Sequence, residues 1–292
     1  MTDQLKGLII TFFGVLFVIP DSYFIRVIEA PATVVFFWRS LLQGLVIGVG
    51  LFLLQGRRVV AEGRSLGWPG LAYAACLGVS SLCFVASVKY TTVANTVFII
   101  ATIPVFAAIS SWLLMGEAVS KRMRITFVFA LIGVLVIAYG SFEEGPNGQS
   151  TLFGDLLALG AALTFSTAIS ISRSIAPATI IPMVPVGYLG AALVVMPFIS
   201  PFNIPDGQWI YVILHGGFFV AISALLLALG PKYLRAAEVG LLILLESALA
   251  PLLVWWLLDE VPSNYALIGG VIVLLTLGLS NLIAVMRPRK SA

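Results

Sequence analysis

The sequence predicts an all-α integral membrane protein with ten transmembrane helices in two inverted five-helix repeats. Of its 292 residues, 60% are hydrophobic and 10% are charged, whereas soluble domains carry roughly 25% charged residues. Ten apolar runs are long enough to cross a bilayer, and motifs of the first half recur in the second. A chain of this composition cannot build a water-facing surface, so lipid is its main solvent.

The spans follow from length and apolar content. A helix needs about 20 mainly apolar residues to cross a hydrocarbon core of roughly 30 Å. The connections between the runs are too short for a soluble domain, and the first run is too long for the core of a signal peptide, so it is expected to be retained. The predicted spans lie near 7–27, 34–54, 68–88, 93–115, 125–141, 154–174, 183–199, 209–229, 237–258 and 266–286.

The positions of Lys and Arg predict the orientation, because positively charged loops stay in the cytoplasm. With both termini inside, all but three of the 16 Lys and Arg residues fall on the cytoplasmic side. Of the three exceptions, Arg26 and Lys89 fall outside, and Arg39 lies within the second span. The cytoplasmic set is Lys6, Arg57, Arg58, Arg64, Lys121, Arg122, Arg124, Arg173, Lys232, Arg235, Arg287, Arg289 and Lys290.

The chain contains an internal repeat, which we divide into 1–145 (spans 1 to 5) and 146–292 (spans 6 to 10). The tetrapeptide Ala-Pro-Ala-Thr at 30–33 recurs at 176–179. Because each repeat has an odd number of spans, the halves cross the membrane in opposite senses, as in many secondary transporters. Six further matches share an offset of 143 residues: Lys89 and Lys232, Tyr90 and Tyr233, Ala94 and Ala237, Trp112 and Trp255, Glu117 and Glu260, and Ser120 and Ser263.

Several stretches resemble the EamA family of the drug/metabolite transporter superfamily. Residues 86–95 (ASVKYTTVAN) and 103–117 (IPVFAAISSWLLMGE) resemble its fourth-span signature, and 38–42 (WRSLL) resembles its second span. Their partners in the second half are 244–247 (LLES) and 255–260 (WWLLDE), which depart from the family's usual Glu-Pro and Gly-Glu. These departures concern the shape of the ninth helix.

The resemblance implies a bacterial inner-membrane carrier with ten helices around a central cavity, which exports small metabolites such as amino acids. Within the family we favour the branch that exports aromatic and other neutral amino acids. It implies no enzymatic activity and no cofactor. The expected partners are a small-molecule substrate and the lipid bilayer, with no nucleic acid, and a monomer is favoured over an oligomer.

Polar residues inside spans are the candidate site residues, because such groups are costly in lipid and usually functional. Glu246 lies near the middle of the ninth span and could bind a substrate amino group or a proton; the alternative is a carboxylate capped by neighbouring hydroxyls. His215, the only histidine, could be a ligand, a titrating gate or a hydrogen-bonded packing residue beside Gly216 and Gly217.

Asp21 and Arg39 lie at similar depth on the first two spans and could form a structural ion pair or an outer gate. Glu117 and Glu260 end helices at opposite faces and are interpreted as interfacial or gating residues. The remaining substrate-binding candidates would make a mostly apolar pocket with a few polar groups, suited to a bulky zwitterion. They are Tyr73, Ser80, Phe84, Asn95, Phe165 and Ser223.

Other functions are weighed against this one. Export of cationic drugs is the main alternative, since Glu246 with aromatic faces would also bind an organic cation. A distant alternative is an intramembrane serine protease using Ser80 or Ser81 with His215. The chain has no Gly-rich phosphate loop and no metal-ligand cluster, which disfavours a primary pump.

The mechanism expected is alternating access, in which the two halves rock about a site near the midplane. We expect this site to be built from spans 1, 3, 4, 6, 8 and 9. Spans 5 and 10 have almost no polar residues at their centres and are expected to lie peripherally.

Overall fold

A computed structural model describes residues 3–145, 148–175, 180–229, 233–234 and 236–286. Every regular element in these ranges is helical. The helices are α1 (Asp3–Val18), α2 (Asp21–Val27), α3 (Ala32–Gln55), α4 (Arg58–Ser65), α5 (Gly67–Tyr90), α6 (Val93–Ile100), α7 (Ile103–Met115), α8 (Lys121–Glu144), α9 (Leu152–Ser174), α10 (Met183–Val195), a 3₁₀ turn (Met196–Phe198), α11 (Trp209–Val212), a π-helical segment (Ile213–Phe219), α12 (Val220–Leu229), α13 (Ala236–Leu258) and α14 (Asn264–Met286).

These helices form the ten predicted spans. Among the described residues, nine helical segments are long and apolar enough to cross a membrane, and the seventh span, Met183–Phe198, is shorter. Span 1 consists of α1 and α2, and span 4 of α6 and α7. Span 7 is α10 with its 3₁₀ turn, and span 8 runs from α11 through the π-helical segment to α12.

Prolines break two spans and leave a third continuous. The first span breaks between α1 and α2 at Ile19 and Pro20, and the fourth breaks at Ala101 and Thr102, just before Pro104. Both breaks follow from a missing backbone donor and a fixed φ. Pro251, by contrast, lies inside the continuous α13, so the altered motif of the ninth span does not interrupt that helix.

Equivalent hydrogen bonds show that the halves share one scaffold. Ser120 Oγ caps α8 by accepting from the Met123 amide at 3.2 Å, and Ser263 Oγ does the same for Ala266 at 3.1 Å. Both pairs are related by the offset of 143 residues. The Ala-Pro-Ala-Thr segment at 176–179 and Lys232 lie outside the described residues.

The helices of opposite halves pack closely on each other. Span 3 lies along span 6, span 8 along span 1, and span 5 along span 10. Glycines permit the last contact: a Cβ on Gly133 would lie 2.8 Å from the Gly269 carbonyl oxygen, and one on Gly140 would lie 2.5 Å from Tyr265 Cβ. Spans 5 and 10 thus pair with each other, and in the described part of the chain they contribute nothing to the charged cluster described next.

Candidate functional site

A buried ion pair lies about two helical turns from the outer ends of spans 1 and 2, where "outer" means the face at which α2 ends and α3 begins. Arg39 donates to both oxygens of the Asp21 carboxylate, from Nε at 3.0 Å and from Nη2 at 2.6 Å. The two side chains are 8% and 3% exposed. This bidentate geometry matches the fork of the guanidinium to the carboxylate and offsets the cost of burying both charges.

His215 completes this cluster. Its Nε2 lies 2.6 Å from Asp21 Oδ1, and because an ionised carboxylate only accepts, the imidazole donates. The residue sits in the π-helical segment of span 8, and a Cβ on the next residue, Gly216, would lie 3.0 Å from the Arg39 backbone oxygen. Gly216 therefore lets α3 approach closely enough for His215 to reach Asp21, which agrees with the packing alternative for His215.

The third span supplies further partners to Arg39. Ser81 Oγ accepts from Arg39 Nη1 at 2.8 Å and lies 3.5 Å from Ser40 Oγ. The guanidinium carbon lies 5.5 Å from the centre of the Phe84 ring, a cation–π contact. Phe84, a predicted site residue, is therefore at the cluster.

Glu246 lies near this cluster but is not bonded to it. It is ten residues from the start of α13, which places it about 15 Å along that helix. Its carboxylate lies within electrostatic range of Asp21 and Arg39 and is partly exposed. Within the described ranges it has no hydrogen-bond or ion-pair partner. Glu246 thus differs from Asp21, whose two oxygens are both bonded.

Two residues of this region were not predicted. Tyr188 on α10 lies within electrostatic range of Arg39 and beside Gln43 of α3, and Tyr73 lies near Tyr188 from the third span. The expectation that spans 1, 3, 4, 6, 8 and 9 build the site therefore omitted spans 2 and 7. An uncharged Gln and Tyr in apolar helices gave little signal, although Arg39 already marked span 2.

Other predicted site residues use their polar atoms in helix packing. Ser80 Oγ donates to the Ala161 carbonyl at 3.0 Å, and Ser223 Oγ donates to the Gly14 carbonyl at 2.9 Å. Ser80 and Ser223 are repeat equivalents, so these bonds join spans 3 and 6 and spans 8 and 1 in the same way. Phe165 on α9, the predicted site residue of this group without a polar side chain, is partly exposed.

Asn95 belongs to a separate polar cluster at the outer end of α6. Its Nδ2 donates to Ser141 Oγ at 2.9 Å and to Asp155 Oδ1 at 3.1 Å, and Thr91 Oγ1 also donates to Asp155. The structure therefore does not bring Asn95 to Glu246. Asp155 was missed by sequence reasoning, although an acid in the first turn of an apolar helix was the available signal.

The hydrogen bonds argue against a Ser-His pair. A nucleophilic serine needs a base within hydrogen-bond reach. In the structure Ser80 bonds the Ala161 carbonyl, Ser81 bonds Arg39, and the His215 Nε2 bonds Asp21.

Two ion pairs connect the halves at opposite faces. At the outer face, Arg26 Nε lies 2.9 Å from Glu260 Oε2; at the inner face, Arg173 Nη2 lies 2.9 Å from Glu117 Oε2. Glu117 and Glu260 are related by the offset of 143 residues. Arg26 and Arg173 are related by an offset of 147, as are Gly7 and Gly154 of the same spans. The two pairs are thus equivalent under the internal symmetry.

Comparison with known proteins tests the repeat and the fold. The model of the EamA-like transporter family matches residues 5–139 and again residues 152–282. A solved crystal structure superposes on this protein with a TM-score of 0.64 at 18% identity, covering 96% of this chain and 98% of that chain. No curated protein matches this chain.

The likeness to the solved structure shows a shared fold along nearly the whole chain. The family matches divide the sequence into the same two halves that the equivalent caps, serine hydrogen bonds and ion pairs relate. Ten membrane helices in two inverted repeats, matched twice by one family model, place this chain in the EamA-like transporter family, whose members are membrane transporters.

Proposed function

We propose that this transporter exports aromatic and other neutral amino acids by alternating access. The observation that carries the proposal is the Glu246 carboxylate, which is partly exposed halfway along α13 and unbonded within the described residues. A charged group inside a membrane normally has a partner. A substrate amino group would be that partner, and the Phe84 ring beside Arg39 would pack against a bulky substrate side chain.

The charges around Glu246 favour a ligand with a positive group. Arg39 and Asp21 neutralise each other, so with a neutral His215 an ionised Glu246 gives the region one uncompensated negative charge. Three of the five Arg39 N–H groups are used by Asp21 and Ser81. The other two have no acceptor among the described residues, so a substrate carboxylate that reached them would let the region bind both ends of a zwitterion.

The proposal includes the location of the protein. The distribution of Lys and Arg supports both termini in the cytoplasm, and the family resemblance supports a bacterial inner membrane. It also includes a monomeric carrier, in which each chain supplies both inverted halves of its own pathway.

The test is exchange of labelled phenylalanine into liposomes that hold the purified protein and excess unlabelled amino acids. We expect uptake that is inhibited by external tryptophan or threonine. Glu246→Gln should reduce the exchange rate at least about tenfold, because a neutral amide attracts an ammonium group much less than a carboxylate does. Glu62→Gln, which alters an exposed acid on α4, is the matched control and should exchange normally.

The same assay separates amino acids from cationic drugs. An unpaired carboxylate within electrostatic range of Arg39, whose guanidinium lies over the Phe84 ring, would also suit an organic cation. If phenylalanine does not exchange above empty liposomes but a quaternary ammonium dye does, the amino acid proposal is wrong and drug export replaces it. If amino acids exchange equally well in Glu246→Gln, the substrate site is not at Glu246.

A further inference from the structure

We infer that the two equivalent ion pairs are the gates of the transporter. Arg26 and Glu260 would close the outer face, and Arg173 and Glu117 would close the inner face. Each pair joins a helix of one half to a helix of the other, so each must separate when the halves part at that face. This inference rests on transport by the two halves and does not depend on which substrate is carried.

The local backbone places the two acids equivalently. Gly116 ends α7 with φ +69°, and its counterpart Asp259 follows α13 with φ +52°. Each of these left-handed residues turns the chain so that the following glutamate, Glu117 or Glu260, reaches the arginine of the opposite half. The sequence Asp259-Glu260 therefore reproduces the geometry of Gly116-Glu117 despite its different first residue.

The outer gate is the better supported of the two. Glu260 Oε1 also accepts from the Val93 amide at 2.6 Å, and Arg26 Nη2 also donates to the Thr91 carbonyl at 2.6 Å. Nearby, Lys89 Nζ donates to the Ile28 carbonyl at 2.7 Å. These bonds tie the outer ion pair to the corner between spans 3 and 4, which the Asp155 cluster in turn holds through Thr91.

The inner gate is weaker. Its side chains are 51% and 47% exposed, compared with 22% and 14% at the outer gate. Besides the contact between Arg173 and Glu117, this pair has a hydrogen bond from Arg173 Nη1 to Ser111 Oγ at 3.0 Å. Exposed ion pairs are screened by water and contribute little. The outer ion pair is therefore the stronger of the two. In the absence of substrate, the protein should open more readily to the inner face than to the outer face.

Two equivalent alanines can report each opening. Ala250 on α13 is 1% exposed and belongs to the same buried core cluster as Ile25 of α2, so it becomes accessible if opening of the outer gate separates these helices. Ala107, its counterpart on α7, is partly exposed and has a carbonyl that accepts from Ser170 of α9, so it reports the inner gate as an increase over its starting labelling rate. Ala250→Cys and Ala107→Cys would be made separately, after Cys76 and Cys83 are replaced by alanine, and labelled with a membrane-impermeant maleimide.

Arg26→Gln should raise the labelling rate of Ala250→Cys from the outer side about tenfold, because it removes a partly buried ion pair with its supporting bond. It should also slow labelling of Ala107→Cys from the inner side. Arg173→Gln should raise labelling of Ala107→Cys by a smaller factor. Arg124→Gln, which removes an exposed arginine of α8, is the matched control and should change neither rate.

Glu260→Gln tests the ion pair alone, because its amide oxygen can still accept from Val93. It should reproduce the direction of the Arg26→Gln effect, and it serves if Arg26→Gln fails to fold. The inference is overturned if neither outer variant changes labelling of Ala250→Cys, or if each raises both reporters equally, as general loosening would. Labelling needs no substrate, so this outcome is independent of the amino acid assay.

Discussion

The two halves of this transporter share their scaffold but not their charges inside the membrane. Ser80 and Ser223 make equivalent hydrogen bonds, and each half contributes one acid and one arginine to the ion pairs at the faces. The two acids inside the spans lack such counterparts: the offsets pair Asp21 with Ala168 and Glu246 with Ile103. The repeated polar residues thus bond the helices to each other and form the two ion pairs at the faces. The unrepeated charged residues lie at the candidate site.

A second contrast lies within the unrepeated group. Both oxygens of Asp21 are bonded and its side chain is 3% exposed, whereas Glu246 is partly exposed and unbonded in the described parts of the chain. A bonded charge costs stability when its partner is removed, and an unbonded one does not. The two acids should therefore respond in opposite ways to neutralisation.

The largest effect is expected for Asp21→Asn. This change leaves the Arg39 guanidinium buried without its counter-charge and should lower the free energy of unfolding by about 3–5 kcal/mol. Thermal unfolding of the purified protein in detergent measures it, with Asp206→Asn, on an exposed loop, as the control. An unchanged melting temperature would show that the ion pair does not hold spans 1 and 2 together.

The second prediction concerns Glu246→Gln in the same unfolding assay. Because the carboxylate has no bonded partner to lose and the amide is less costly to bury, the free energy of unfolding should stay within about 0.5 kcal/mol of the original or rise. Glu62→Gln provides the reference for an exposed acid. If Glu246→Gln lowers the free energy of unfolding as much as Asp21→Asn does, Glu246 has a structural partner and is not free to bind a substrate.

The third prediction sharpens the comparison between repeated residues. Ser80→Ala and Ser223→Ala should each lower the free energy of unfolding by about 1 kcal/mol, since each removes one buried hydrogen bond. The two losses should be similar and should add in the double variant, because the bonds lie at separate interfaces. Clearly unequal losses would mean that the internal symmetry of the sequence does not extend to the energetics of the helix contacts.

The smallest effect is expected at the two left-handed residues. Asp259→Gly should raise the free energy of unfolding by about 0.5–1 kcal/mol, because glycine adopts φ +52° without steric strain. Gly116→Ala should lower it by a similar amount. If Asp259→Gly is destabilising instead, the aspartate side chain contributes an interaction that offsets its strained backbone.

Much of the architecture could be predicted because it depends on local composition and on repetition. Apolar length defined the ten spans to within a few residues, and Pro20 and Pro104 lie at or next to the two breaks. The family resemblance and the offset of 143 residues identified the repeat. The contact between Asp21 and Arg39 was also foreseeable, because two opposite charges at one depth in lipid have few other partners.

The site was harder to predict because depth along a helix does not tell which way a side chain points. Asn95, Ser80 and Ser223 were assigned to a pocket by depth and polarity, yet they bond to neighbouring helices. Gln43 and Tyr188 were overlooked because uncharged residues in apolar spans are common. Their place near Arg39 depends on how α3 and α10 are rotated, which no single helix determines.

The sequence by itself determined the membrane spans, the inverted repeat and the residues that carry charge inside the bilayer, because each of these follows from composition and spacing along one chain. Only the tertiary structure decided which charges are bonded and which is open. Asp21 is bonded on both oxygens because the break at Pro20, the approach of α3 and Gly216 of span 8 converge on it. Glu246 remains open because no described side chain of the neighbouring helices reaches its carboxylate.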